Sequence, residues 1–311
     1  MTELRFDDRV AIVTGAGRGI GRAHALLLAE RGAVVVVNDL GVDVGGADAG
    51  ETPADDVVGE ILALGGEAVA DASDVSSAEG AAGLVAAAIA RFGRLDVVVN
   101  NAGIIRYTDF PAADLDELRL HLAVHVGGSF NVTRAAWPHL VARGYGRLVF
   151  TTSSAIYGLP NLVSYGAAKG GVVGLARALA TAGASHDIKA NVISPIGLTR
   201  MMRASGALPD DVEALAAQVP PALVAPVMAY LAHETCPVTG EIYTAGGGRA
   251  ARVFIGETHG VTSGIRTPED VAAGWDEIND AAGFFVPEST HDQYVKRSQL
   301  VEVDGDRGRA T

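Results

Sequence analysis

Cysteine is almost missing from this 311-residue chain. Cys236 stands alone, so no disulfide can form within it, and a reducing compartment is expected. A lone Cys236 reads as a small packed residue rather than a reactive thiol. Aromatic residues make up only 5%, which leaves most packing to Ala, Val, Leu and Gly. Positive charge is also short: 24 Lys and Arg stand against 37 Asp and Glu, a formal net charge of −13. A chain this acidic lacks the basic face that nucleic-acid phosphates require. No uninterrupted apolar run reaches the ~18–20 residues that span a bilayer. The charged start, Met1 to Arg9, has no apolar signal-peptide core. Together these absences set the expectation of a soluble, cytoplasmic protein with a small-molecule partner, and neither a nucleic acid nor a membrane.

What the chain does have is 49% hydrophobic residues and 39 glycines, enough apolar content for a sizeable core. Short β-branched runs (Val10–Val13, Ala33–Val37, Ala68–Ala70, Leu95–Val99, Arg147–Thr151, Lys189–Ile193) alternate with helical stretches. The helices are expected over about Ile20–Arg31, Ala54–Leu64, Ala78–Phe92, Leu115–Val141 and Val163–Ala184. This alternation predicts βαβ units and an α/β fold: a doubly wound, mostly parallel sheet with helices on both faces. Residues 1–251 read as one catalytic domain. Residues 252–311 read as a polar C-terminal extension with one helix near Pro268–Asp280 and a fraying tail. Leu40–Thr52 reads as a long Gly- and Asp-rich loop.

Thr14-Gly-Ala-Gly-Arg-Gly-Ile-Gly21 falls at the first strand-to-helix turn. Glycines there let backbone N–H groups approach a pyrophosphate at a helix N-terminus. The spacing of Gly15, Gly19 and Gly21 is G-x-x-x-G-x-G, so the turn by itself is a weak signal and its place after the first strand gives it force. Asp39 closes the second strand, where a carboxylate accepts hydrogen bonds from adenosine ribose hydroxyls and repels a 2′-phosphate. Arg18 pulls the other way, toward that phosphate. The balance favours NAD over NADP, because a dianion beside a fixed carboxylate is costly where water is scarce.

Tyr165 and Lys169, four apart on a predicted helix, share one face. A free tyrosine, pKa near ~10, is too weak a base at neutral pH. A nearby ammonium and a cationic nicotinamide both favour its phenolate. Ser153 and Ser154 end one predicted strand and Asn100-Asn-Ala-Gly103 ends another, so these groups converge on the crevice at the strands' carboxyl ends.

In this order, from Arg9 to about Gly248, the set resembles the short-chain dehydrogenase/reductase family and its Rossmann-type fold. The resemblance implies that Gly15, Arg18, Gly19, Ile20 and Gly21 line the dinucleotide and that Asp39 binds its ribose. Asp74 and Val75 then contact adenine, Asn101, Ala102 and Gly103 brace the cofactor, and Pro195 and Gly197 border the nicotinamide. Ser154 is chosen over Ser153 to polarise the substrate oxygen. Tyr165 exchanges its proton, and Lys169 tunes Tyr165 and holds the ribose.

Two positions depart from the family pattern. His125 stands where an Asn usually supports the proton relay, and reads either as a relay member or as a packed helix histidine. The Ser154-to-Tyr165 spacing is about two residues shorter than is common. Finer features resemble the branch of (3R)-hydroxyacyl-CoA dehydrogenases, among them the Val36–Gly41 segment, His125, Tyr230–Cys236 and the Thr-Pro-Glu helix start of the extension. That likeness implies NAD-dependent oxidation of a 3-hydroxyacyl-CoA in β-oxidation of fatty or steroid side chains.

Leu198–Pro221, with Met201, Met202, Leu208, Leu215 and Val219, is expected to cover the substrate. Its Arg200 and Arg203 either meet CoA phosphates or are solvated. The family's long helices imply a homodimer or homotetramer, with the extension packed on or between subunits. A same-family enzyme for a free secondary alcohol is the rival reading. A non-catalytic NAD-binding protein is a remoter one.

Overall fold

A computed structural model describes residues 3–50, 52–204, 211–262 and 264–307. In chain order the first half holds β1 (Val10–Thr14), α1 (Gly19–Glu30), β2 (Val34–Asn38), α2 (Pro53–Ala63), β3 (Glu67–Asp71), α3 (Ala78–Phe92) and β4 (Val97–Asn100). Next come α4 (Leu115–His121), a π-helical turn (Leu122–Gly127), α5 (Gly128–Arg143), β5 (Gly146–Thr151), α6 (Val163–Gly183) and β6 (Ile188–Pro195). The remainder comprises α7 (Arg200–Arg203), α8 (Val212–Gln218), α9 (Ala225–Ala232), β7 (Ile242–Gly246), β8 (Arg249–Val253), α10 (Pro268–Ala273), α11 (Trp275–Ile278) and α12 (Thr290–Arg307).

The strands form a single eight-stranded sheet in the order β3-β2-β1-β4-β5-β6-β7-β8. From β3 to β7 every neighbour is parallel, with pairs such as Val13↔Val37 and Phe150↔Val192. Only Gly247 and Gly248 separate β7 from β8, too short a link for a crossover, so β8 runs back antiparallel. Both faces are covered, which is why β1, β4 and β5 are buried along their whole length. Alternate residues (Ala11 and Val13, Val35 and Val37, Val97 and Val99) point one way and pack with α1, α2 and α9. α3 packs on α5, and α6 lies against β5 and β6. The strand order reverses at β1, whose neighbours are β2 and β4, and this reversal opens a crevice above the carboxyl ends.

Several expectations are corrected. The helix read from Leu115 to Val141 runs without interruption to Arg143, but it contains the π turn, which inserts an extra residue between α4 and α5. Residues 212–232 have the length and composition to cross a membrane, yet they form two helices parted by Pro220 and Pro221. The second of these, α9, buries Met228 and Leu231 in the core. The tail read as fraying contains α12, and among the described residues the extension holds three helices rather than one.

The chain divides into two compact units, Met1–Arg252 and Val253–Thr311. Within the second, Thr267 and Asp270 form a capping box at the start of α10, with the Thr267 hydroxyl accepting from Asp270 N–H and the Asp270 carboxylate accepting in return.

Candidate active site

The carboxyl ends of β1, β2, β4, β5 and β6 open into a cleft of about 480 Å³. At its floor the Gly-rich turn is pressed against β4. Gly15 has φ +61°, and a Cβ there would meet the Ala102 Cα at 2.8 Å. A Cβ on Gly21 would lie 2.1 Å from the Gly15 carbonyl oxygen, so α1 starts tight against the turn. Asn101 locks this contact by donating from Nδ2 to the carbonyls of Thr14 and Gly15, at 3.0 and 3.1 Å. The Thr14 hydroxyl in turn accepts from the N–H groups of Asn101 and Ala102, both at 3.0 Å. No side chain caps the N-terminus of α1, and its first turn carries no acid. Its N–H groups therefore face the cleft as anion donors.

Asp39 sits at the rim, its two carboxylate oxygens accepting from Gly17 N–H and Gly41 N–H, each at 2.9 Å. Gly17 escaped the sequence reading. A Cβ there would come within 2.9 Å of the Asp39 carboxylate and 2.7 Å of the Pro53 ring, so its lack of a side chain is what lets Asp39 reach the turn. Arg18, Gly19, Ile20, Asp74, Val75, Gly103, Pro195 and Gly197 all line the same cleft. The uncapped helix start, the bare glycine cradle and the rim carboxylate suit a dinucleotide: amides for the pyrophosphate, an acceptor for ribose hydroxyls. Val42, Asp43, Val44 and Gly46 of the Gly- and Asp-rich loop line it too, a contribution that no motif announced.

At the other end of the cleft Tyr165 and Lys169 are both buried. The Lys169 Nζ donates to the Thr151 carbonyl at 2.8 Å and lies 5.5 Å from the centre of the Tyr165 ring. The Thr152 hydroxyl donates to the Lys169 carbonyl at 2.9 Å, tying α6 to the end of β5.

Ser153 and Ser154 both line the cleft, in different settings. Ser153 is half-buried and is the group that lowers the Tyr165 phenol, whereas Ser154 is exposed and starts the short 3₁₀ turn 154–157. Ser153 Oγ accepts from Ala155 N–H at 3.2 Å, which leaves its own proton free to donate into the cleft. Burial pushes the Tyr165 phenol up to about 12, against a lowering by Ser153. Burial also pulls Lys169 down to about 7. Burial is the largest cause of both shifts, and it acts against the charged form of each group.

His125 lies within the π turn. It is buried, and Nε2 is 2.9 Å from the Ile104 carbonyl. A carbonyl only accepts, so Nε2 carries the proton and Nδ1 is an acceptor, with no hydrogen-bond partner among the described residues. Burial first, and then the Lys169 charge, hold His125 well below the ordinary imidazole range. Its ring meets Tyr165 edge-to-face at 5.3 Å and stacks on His121 at 6.0 Å. His125 is therefore both a packed helix histidine and a lining residue of the cleft. His121, absent from the sequence reading, is also buried. Its Nδ1–H donates to the Glu117 carbonyl at 2.9 Å, and its Nε2 accepts from Arg106 N–H at 3.3 Å.

Arg200 lines the cleft with Arg18, Asp39 and Asp43. Burial and Arg18 lower its guanidinium while Asp39 and Asp43 raise it, which assigns it to the dinucleotide end. Arg203 is exposed, and Leu208 lies outside the described residues.

Residues 9–207 match the family model described as short chain dehydrogenase. The mouse peroxisomal multifunctional enzyme type 2 is 44% identical over 292 residues, covering 92% of this chain but only 38% of that protein. The structure of the full-length Drosophila melanogaster enzyme of the same name superposes with a TM-score of 0.78 at 34% identity, over 96% of this chain and 50% of that one. The chain thus spans half or less of these relatives. A 7α-hydroxysteroid dehydrogenase, solved with NADH and 7-oxo glycochenodeoxycholic acid, matches with a TM-score of 0.69 at 30% identity, over 80% of this chain and 98% of that one.

Proposed function

This chain belongs to the short-chain dehydrogenase family, whose members are oxidoreductases of CH–OH groups, and on that footing we propose that it oxidises a 3-hydroxyacyl-CoA to the 3-oxoacyl-CoA with NAD. The observation that carries the reading is the meeting of Ser153, Tyr165 and Lys169 at the end of a dinucleotide-fitted cleft whose wall is apolar. Ile105, Ala155 and Leu162 cluster with Tyr165, and Val44, Tyr107 and Met201 pack against them. Such a wall suits an acyl chain.

The bound nicotinamide dinucleotide supplies the hydride acceptor. The chain does the rest. Ser153 donates a hydrogen bond to the substrate oxygen and orients it toward Tyr165. Tyr165, as the phenolate that the Lys169 ammonium and a cationic nicotinamide would favour, takes the hydroxyl proton. Lys169, anchored on the Thr151 carbonyl, holds its charge beside the phenol. The neutral His125, its Nδ1 a buried acceptor beside Gly103, serves the onward proton path. NAD is favoured over NADP because Asp39 keeps a carboxylate fixed at the rim by two backbone donors. The chain assembles as a homodimer or homotetramer through α4–α5 and α6.

The test is reduction of NAD+ with a panel of 3-hydroxyacyl-CoA thioesters set against matched free alcohols. Turnover confined to thioesters supports the reading. Turnover confined to free alcohols refutes it and favours a steroid or similar alcohol, the second reading, which the match to 7α-hydroxysteroid dehydrogenase motivates.

A further inference from the structure

The cleft wall is built from three segments far apart in the chain: 42–46, 104–107 and 199–202. The first two are joined through backbone carbonyls. Ile105 N–H donates to Val44 at 2.7 Å, and Arg106 Nε donates to Gly45 at 3.0 Å. The third, α7, is a single turn with no buried residue, too short to persist on its own hydrogen bonds. The Tyr107 hydroxyl reaches across to it and donates to the Met201 carbonyl at 3.1 Å. Tyr107 also packs with Met201 against the cluster of Ile105, Ala155, Leu162 and Tyr165. One side chain therefore connects α7 to the neighbourhood of the reacting tyrosine.

We propose that Tyr107 is a positioning residue of the substrate site: by pinning α7 at Met201 it sets the width of the cleft beside Tyr165, and so the size of acyl group that is held well. This rests on the 3-hydroxyacyl-CoA reading. A short acyl group touches too little of α7 to order it and depends on the pin. A long chain packs along Met201 and Met202 and orders α7 by its own contacts, since each buried methylene adds to the attraction.

Tyr107→Phe removes the hydroxyl and keeps the ring. Hydrogen exchange in peptides spanning 198–204 is expected to rise about fivefold, the size of one lost hydrogen bond. For 3-hydroxybutyryl-CoA, kcat/KM should fall about fivefold, the loss carried by KM. For 3-hydroxyhexadecanoyl-CoA the change should stay under about twofold. Retained NADH affinity reports an intact fold. Unchanged exchange overturns the pin, and equal losses on both thioesters overturn its control of width. If the wild-type protein turns over neither thioester yet exchange still rises in the variant, the substrate reading fails while the pin stands.

Discussion

A methyl group at position 103 tests the packing behind the reacting tyrosine. A Cβ on Gly103 would lie 2.5 Å from His125 Cε1 and 3.0 Å from Nδ1, and the three nearest atoms all belong to that ring. Ordinary contact between carbons is ~3.5–4.0 Å, so Gly103→Ala requires the imidazole to retreat by about 1 Å. The ring is not free to do so. Nε2 is tied to the Ile104 carbonyl at 2.9 Å, and Tyr165 and His121 stand behind it at 5.3 and 6.0 Å between ring centres. The displacement passes to Tyr165.

Overpacking of this kind costs about 1–3 kcal/mol of stability, and a misplacement near 1 Å costs on the order of 100-fold in rate. Thermal melting and steady-state kinetics of Gly103→Ala should therefore show a lowered midpoint and a kcat reduced ~10–100-fold. Shortening the obstructing ring provides the control. On the His125→Asn background, Gly103→Ala should cost no more than about threefold, because the two positions are in contact and their effects should not add. A Gly103→Ala enzyme within about twofold of wild type, or a full loss persisting on the His125→Asn background, would refute the transmission from Gly103 through His125 to Tyr165.

Other expectations follow from the same geometry. Tyr165→Phe should keep NADH affinity, measured by fluorescence titration, and lose about 10²–10⁴ in kcat; near-wild-type turnover would remove Tyr165 from the proton step. Asp39→Asn takes away the rim charge and one of two backbone acceptors, so preference for NADH over NADPH should shrink about tenfold, and an unchanged preference would show that Asp39 does not discriminate. His24 is fully buried with neither ring nitrogen hydrogen-bonded among the described residues, and burial pulls it to about 3. The unfolded chain therefore binds a proton there below pH ~6.5 that the fold refuses, and stability falls as pH drops from that point toward 3. The loss is on the order of 2 kcal/mol by pH 5, so His24→Leu should flatten this part of the urea-denaturation pH profile. A profile as steep as wild type would show that other groups carry it.

The layered α/β core was legible because β-branched strands buried on both faces leave few alternatives, as the valines of β2 show. The π turn at Leu122 was not, since it changes the hydrogen-bond register without changing the apolar character of the sequence. α12 was missed for a related reason: its polar composition carries too weak an apolar stripe to separate it from a frayed end. In the site, the glycine cradle, Asp39, Tyr165 and Lys169 could be read from position along the chain. The different burial of Ser153 and Ser154 could not be read, because it depends on how the backbone leaves β5 into the 3₁₀ turn. His121 and Tyr107 enter through space, from segments whose sequence neighbours carry no motif.

The π turn has a consequence for how the chain tolerates changes in length. Gly128 N–H closes on the Ala123 carbonyl, five residues back, so one turn holds a residue more than an α-helix needs. Deleting a residue elsewhere in a helix swings everything beyond it by about 100° around the axis. Deleting one here lets the turn relax to ordinary α-helix, with α4 and α5 keeping their inward faces, and only the residues of the turn itself are reoriented. A one-residue deletion can therefore be absorbed at this turn without unfolding the scaffold, and it changes which side chain stands beside Tyr165.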